Sequence, residues 1–146
     1  MTAVTPTSAL RPDSSHPPRS FARKASPAYL HDQLPDLAPQ ILRQRLVIEG
    51  RCPQPITREQ IVGYLTQLTD VCGMSPLMVP TTHASPLYGW AGWVHWETSG
   101  AHFYAWDRPL LFFSVDIYTC KRFDPEAAAA FTQRFFDAAP LVAQEF

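Results

Sequence analysis

Between residues 101 and 120 the chain carries two stretches of strict apolar–polar alternation, and a period of two belongs to extended strands. In residues 101–106, Ala101, Phe103 and Ala105 alternate with His102, Tyr104 and Trp106. In residues 110–120, Leu111, Phe113, Val115 and Ile117 point one way, and Ser114, Asp116, Tyr118 and Cys120 the other. One face of the resulting sheet is plain core. The other mixes aromatics with titratable groups, too apolar to stay fully wet and too polar for a dry core. A homodimer stacked sheet on sheet is expected to cover most of it and leave a polar cleft.

The flanking patterns supply the other elements. Residues 41–49 read as a strand centred on Leu46, Val47 and Ile48. Thr57 followed by Gln60 is a capping-box signature, and behind it Ile61, Val62, Leu65, Leu68 and Val71 or Cys72 recur at helical spacing up to Gly73. A short strand is expected at 77–81, a turn-rich loop at 80–89 and a strand at 90–97. Asp124, Pro125 and Glu126 open a second helix, which carries Phe131, Phe135 and Phe136 and ends near Asp137. Residues 141–145 form a possible edge strand. Two helices cannot cover both faces of such a sheet, so the expected fold is α+β: a two-layer sandwich, with a mostly antiparallel sheet of about five strands and both helices on one face.

With 146 residues the chain suits one domain with a real core. Residues 1–30, rich in proline and serine and without apolar periodicity, read as a disordered tail. The tail's basic bias faintly resembles a transit peptide, although a solvated extension is the favoured reading. The domain is then expected over residues 31–146. Twelve basic residues against 13 acidic ones leave a formal charge of -1, which points to neither a nucleic-acid nor a membrane partner. Three cysteines without CxxC spacing imply neither a disulfide framework nor a zinc site, and a cytoplasmic location is the simplest expectation. No His/Cys/Asp cluster has metal-ligand spacing.

The segment ETSGAHFYAW (97–106), followed by SVDIYTC (114–120), resembles the processing strand and cysteine strand of bacterial S-adenosylmethionine decarboxylases. In that family a serine begins the strand, an aromatic follows seven residues on, and a VD-[IV]-[FY]-TC motif comes next. Ser99, Trp106 and Val115 to Cys120 fit this pattern. FDPEAAAAF (123–131) also fits, and LVIEG (46–50) does so more weakly.

The resemblance implies a self-processing, pyruvoyl-dependent decarboxylase. Ser99 would attack the carbonyl of Thr98, the Thr98–Ser99 bond would be cut, and Ser99 would become a pyruvoyl group that accepts electrons when CO2 leaves. Gly100 suits a turn under strain. Cys120 would be the proton donor, and Glu49 would bind the ribose hydroxyls. Asp116 and Trp106 are further candidates for substrate binding, and no metal is implied. The implied substrate is S-adenosylmethionine, for polyamine (spermidine) synthesis.

Two departures stand out. The family histidine five residues after the serine is Tyr104 here, and a second histidine position is Gly100. Either His102 or Tyr104 is the candidate replacement. The family's HTWPE segment becomes YAWDRP. Two alternatives therefore stay open: an unprocessed, catalytically silent homologue that binds a ligand or partner, or a pyruvoyl decarboxylase of arginine or ornithine. His95 is expected to be a hydrogen-bonded packing residue, and Glu97 to orient or cap the processing turn.

Overall fold

The computed structural model describes residues 35–146, so the tail expected over residues 1–30 lies outside the described residues. Ala38–Phe146 form one structural unit. Its elements are β1 (Gln44–Arg51), α1 (Arg58–Val71), β2 (Thr81–Ser85), β3 (Gly89–Trp96), β4 (Ser99–Trp106), β5 (Phe112–Thr119), α2 (Pro125–Phe136) and β6 (Leu141–Glu145). The strands make one six-stranded sheet in the order β2-β3-β4-β5-β1-β6, and every neighbouring pair is antiparallel.

Local chemistry sets the helix ends. The Thr57 hydroxyl accepts from the Gln60 N–H, and the Gln60 side chain accepts from the Thr57 N–H, so the expected capping box is complete. Gly73, at φ +64°, stops α1 in a conformation that a residue with a Cβ resists. Asp124 caps α2 by accepting from the Glu126 and Ala127 N–H groups, with Pro125 next.

Both helices lie on one face. Tyr64 of α1 packs on Phe103 with ring centroids 5.3 Å apart, and Phe136 of α2 lies 5.1 Å from Phe113. Leu46, Ile48, Val94, Ala101, Phe103, Phe113, Val115 and Ile117 bury the sheet side of this core. The alternation of β4 and β5 therefore resolves as expected, with the fold a two-layer α+β sandwich. The Tyr64 hydroxyl meets Thr132 at 2.8 Å and the Trp96 indole N–H donates to Thr69 at 2.8 Å, so the buried polar atoms have partners.

One expected element moves. The strand anticipated at 77–81 forms instead at Thr81–Ser85, within the stretch read as a turn-rich loop. Pro76 and Pro80 bracket Leu77, Met78 and Val79 and lack N–H donors. Leu77 and Val79 are 64% and 77% exposed. Thr81 and Thr82 pair with Trp93 and Gly92 instead, and the Ser85 hydroxyl accepts from the Leu87 N–H to tighten the following turn.

Candidate active site at the turn between β3 and β4

Glu97 and Thr98 form the turn of the β3–β4 hairpin, and Ser99 is the first residue of β4, opposite Trp96 and Thr119. Two backbone hydrogen bonds hold this turn from opposite sides. The Glu97 N–H donates to the Ser75 carbonyl at 3.1 Å, and the Thr98 carbonyl accepts from the Cys120 N–H at 3.0 Å. The Ser99 side chain shares the helix-facing parity of Ala101. Its Oγ lies 3.3 Å from the Thr98 hydroxyl and donates to Met74 Sδ at 3.6 Å. A side chain at Gly100 would begin 2.9 Å from the Val94 carbonyl oxygen, so this hairpin leaves no room for a larger residue without a backbone shift.

Cys120 follows the last residue of β5 and is exposed, with a free thiol. Thr98, Ser99 and Cys120 thus come together, as the motif spacing implies. Lys121, next in sequence, reaches back to donate to the Gly73 carbonyl at 2.6 Å, which ties this end of β5 to the end of α1.

His102 and Tyr104 do not join them. Both lie on the open face of β4, opposite Asp116 and Ser114, whereas Ser99 points to the helix face. Along the strand they are about 10 and about 16 Å from Ser99, at roughly 3.3 Å per residue. As the candidate replacements for the family histidine, both are therefore set apart from Ser99 within one chain, because three and five residues along a regular strand reverse the face and add distance. Trp106 shares their face, half-buried against Phe112 at 5.3 Å.

Asp116 is held by Arg45 in a bidentate pair at 2.9 and 2.8 Å, and this partner raises the guanidinium pKa above its ordinary value. Arg45 also lies over the Phe146 ring, 5.5 Å from its centroid. Glu49 is exposed on the same face, level with Ser114 and hence with Tyr104. It lines two shallow clefts of about 270 Å³ each, one with Val47, Val142 and Phe146, the other with Arg51, Leu110 and Phe112. A further cleft, of about 500 Å³, lies elsewhere, between α1 and the Leu77 to Pro80 stretch. His95 is exposed, contrary to the packing role expected for it, because its parity places it on the open face beside Gly100. Among the described residues no group of His, Cys, Asp or Glu is arranged to hold a metal, and no helix is long and apolar enough to cross a membrane.

Sequence reasoning missed Arg45 and Met74. The parity of Arg45, Val47 and Glu49 could have placed Arg45 on the open face, but the register against β5 was not visible. Nothing in the local sequence marks Met74.

The architecture defines a two-layer α+β sandwich with a serine at a clamped hairpin turn. The crystal structure of the adenosylmethionine decarboxylase from Aquifex aeolicus VF5 is similar, with a TM-score of 0.59 and 15% identity over 73% of this chain and 89% of that one. At that identity the likeness speaks for the fold. The sequence model of the S-adenosylmethionine decarboxylase family matches residues 51–146, and the chain belongs to that family. No curated protein matches it.

Proposed function

We propose that the chain decarboxylates S-adenosylmethionine by means of a pyruvoyl group made from its own Ser99. The observation that carries this reading is the Thr98 carbonyl, which accepts the Cys120 N–H at 3.0 Å, in the bond that joins Thr98 to Ser99. Attack by Ser99 Oγ forms a C–O bond to the Thr98 carbonyl carbon as the Thr98–Ser99 C–N bond breaks. The hydroxyl proton passes to the released nitrogen. Negative charge that develops on the Thr98 oxygen meets an N–H already aimed at it. Removal of the Ser99 Cα proton then breaks the Cβ–O bond and releases the Thr98 carboxylate, leaving a dehydroalanine whose imine tautomer adds water and loses ammonia, which leaves the keto group at the start of β4. That group supplies the electron sink for decarboxylation.

The chain's own residues do the rest. Cys120, exposed and held next to the turn, delivers a proton to the carbon that loses CO2. Glu49 accepts hydrogen bonds from the ribose diol, and Trp106 with its aromatic neighbours offers a stacking surface. Tyr104 and Tyr118, 42% and 46% exposed on the open face, suit a homodimer packed face to face. Across such an interface Tyr104 or His102 would serve the partner's turn rather than its own. The reading carries a place in polyamine synthesis and in the reducing cytoplasm, in keeping with three free cysteines.

An arginine or ornithine substrate asks for carboxylates to hold its cationic end. Asp116 is engaged by Arg45, which leaves Glu49 for that task and favours the nucleoside. The silent-homologue reading draws on the separation of Tyr104 from Ser99. The deciding experiment is CO2 release from carboxyl-labelled S-adenosylmethionine, arginine and ornithine, measured side by side. Release from S-adenosylmethionine is expected. Release from arginine or ornithine alone would move the substrate, and release from none would support the silent form.

A further inference from the structure

Ser99 Oγ has two polar neighbours. Thr98 Oγ1 stands at 3.3 Å, and the sulfur of Met74 receives the hydroxyl proton at 3.6 Å. The sulfur is not there by chance contact of a loose side chain. Met74 is 8% exposed, and its N–H donates to the Thr69 carbonyl at 2.9 Å. The preceding Gly73 turns the chain at φ +64°, and its carbonyl is gripped by Lys121 Nζ at 2.6 Å. Lys121 adjoins Cys120, whose N–H holds the Thr98 carbonyl. The end of α1, the β3–β4 turn and the end of β5 therefore close a ring around the bond to be cut.

A thioether accepts a hydrogen bond weakly and does not take up the proton itself. Directing the hydroxyl hydrogen toward the helix face fixes the rotor and leaves the oxygen lone pairs free to face the Thr98 carbonyl carbon. We propose that Met74 is a positioning residue for self-processing, its Sδ holding the Ser99 hydroxyl in the orientation from which it attacks. The proposal rests on the self-cleavage reading above.

The test follows cleavage of freshly translated full-length chain over time on denaturing gels, with thermal melting of each variant alongside. Met74→Leu keeps an apolar side chain of similar size and removes the acceptor, and its cleavage is expected to slow about fivefold, the effect of one lost hydrogen bond. Met74→Gln restores an acceptor on an unbranched chain and is expected to return the rate to within about twofold of the parent. Simple packing predicts the reverse order, because a buried amide is worse tolerated than leucine. Cleavage of Met74→Leu at the parental rate, or of Met74→Gln more slowly than Met74→Leu, overturns the proposal. Should either variant melt early, norleucine in place of methionine in a Met78→Leu background keeps the shape and deletes only the sulfur. Slower cleavage then supports the role and an unchanged rate overturns it. A parent chain that never cleaves overturns the self-cleavage reading, and the proposal with it.

Discussion

The Cys120 N–H and the Thr98 carbonyl, 22 positions apart in sequence, share a 3.0 Å hydrogen bond at the point where β5 ends beside the β3–β4 turn. On the proposed reading one residue would contribute twice: its backbone would polarise the carbonyl that Ser99 attacks, and its thiol would serve the later proton transfer. The two contributions separate by mutation. Cys120→Ala keeps the N–H, so self-cleavage should proceed near the parental rate. Decarboxylation should fall by about 10²-fold or more, the usual worth of a positioned proton donor. Gel analysis of cleavage and CO2 release on the same preparation check both halves.

Glu49 and Asp116 share the open face but differ in engagement. Asp116 is already paired with Arg45, whereas Glu49 lines two clefts. Glu49→Gln should raise KM for S-adenosylmethionine about tenfold, the loss of a charge-assisted hydrogen bond. Asp116→Asn should change KM less than about threefold. Because the Arg45–Asp116 pair is half exposed, its loss should also lower stability by less than about 1 kcal/mol. Steady-state kinetics and urea unfolding measure these effects.

Packing of α1 on the sheet depends on Gly92. A Cβ there would sit 2.4 Å from Ile61 Cγ2, against a helix face that is fully buried. Gly92→Ala should destabilise the fold by about 1–3 kcal/mol, the range for overpacking a filled core. Urea midpoints of parent and variant check this.

Alkali should unfold the protein partly through Cys72. Burial pushes this thiol from 9.0 up to about 12, and burial likewise raises the Tyr64 phenol. Both groups are neutral below pH 9 in either state, so their contribution is fully present there. Above it the unfolded chain ionises first, and stability falls as pH rises from about 9 through about 12. Cys72→Ala should flatten the early part of that fall relative to its own stability at pH 7, measured by denaturant unfolding at stepped pH.

Much of the fold was legible because its determinants are local. The period of two in β4 and β5, the Thr57–Gln60 box, the Gly73 stop and the Asp124–Pro125 start each act within a few residues. What stayed hidden depends on register or on contacts distant in sequence. The strand expected at 77–81 moved because two prolines deny the ladder its donors, which left Thr81–Ser85 to pair with β3. Arg45 meets Asp116 across 71 positions, and Met74 meets Ser99 across 25. Motif spacing brought the Thr98–Ser99 turn to the end of β5, since the antiparallel register sets Ser99 opposite Thr119 and the Thr98 carbonyl against the Cys120 N–H. It could not bring Tyr104 to Ser99, because strand geometry sets them on opposite faces.

Self-cleavage is the step on which the proposed chemistry turns, and intact mass of purified protein under denaturing conditions reads it directly. The 16.4 kDa chain should resolve into products of about 11 and 5 kDa, in proportion to 98 and 48 residues. The smaller should be lighter by one ammonia than a chain beginning with serine. Under native conditions the two should elute together, since β4 stays paired between β3 and β5, and Ser99→Ala should remain whole. A single parental chain of 16.4 kDa with an unmodified serine at position 99 would contradict pyruvoyl chemistry in this protein.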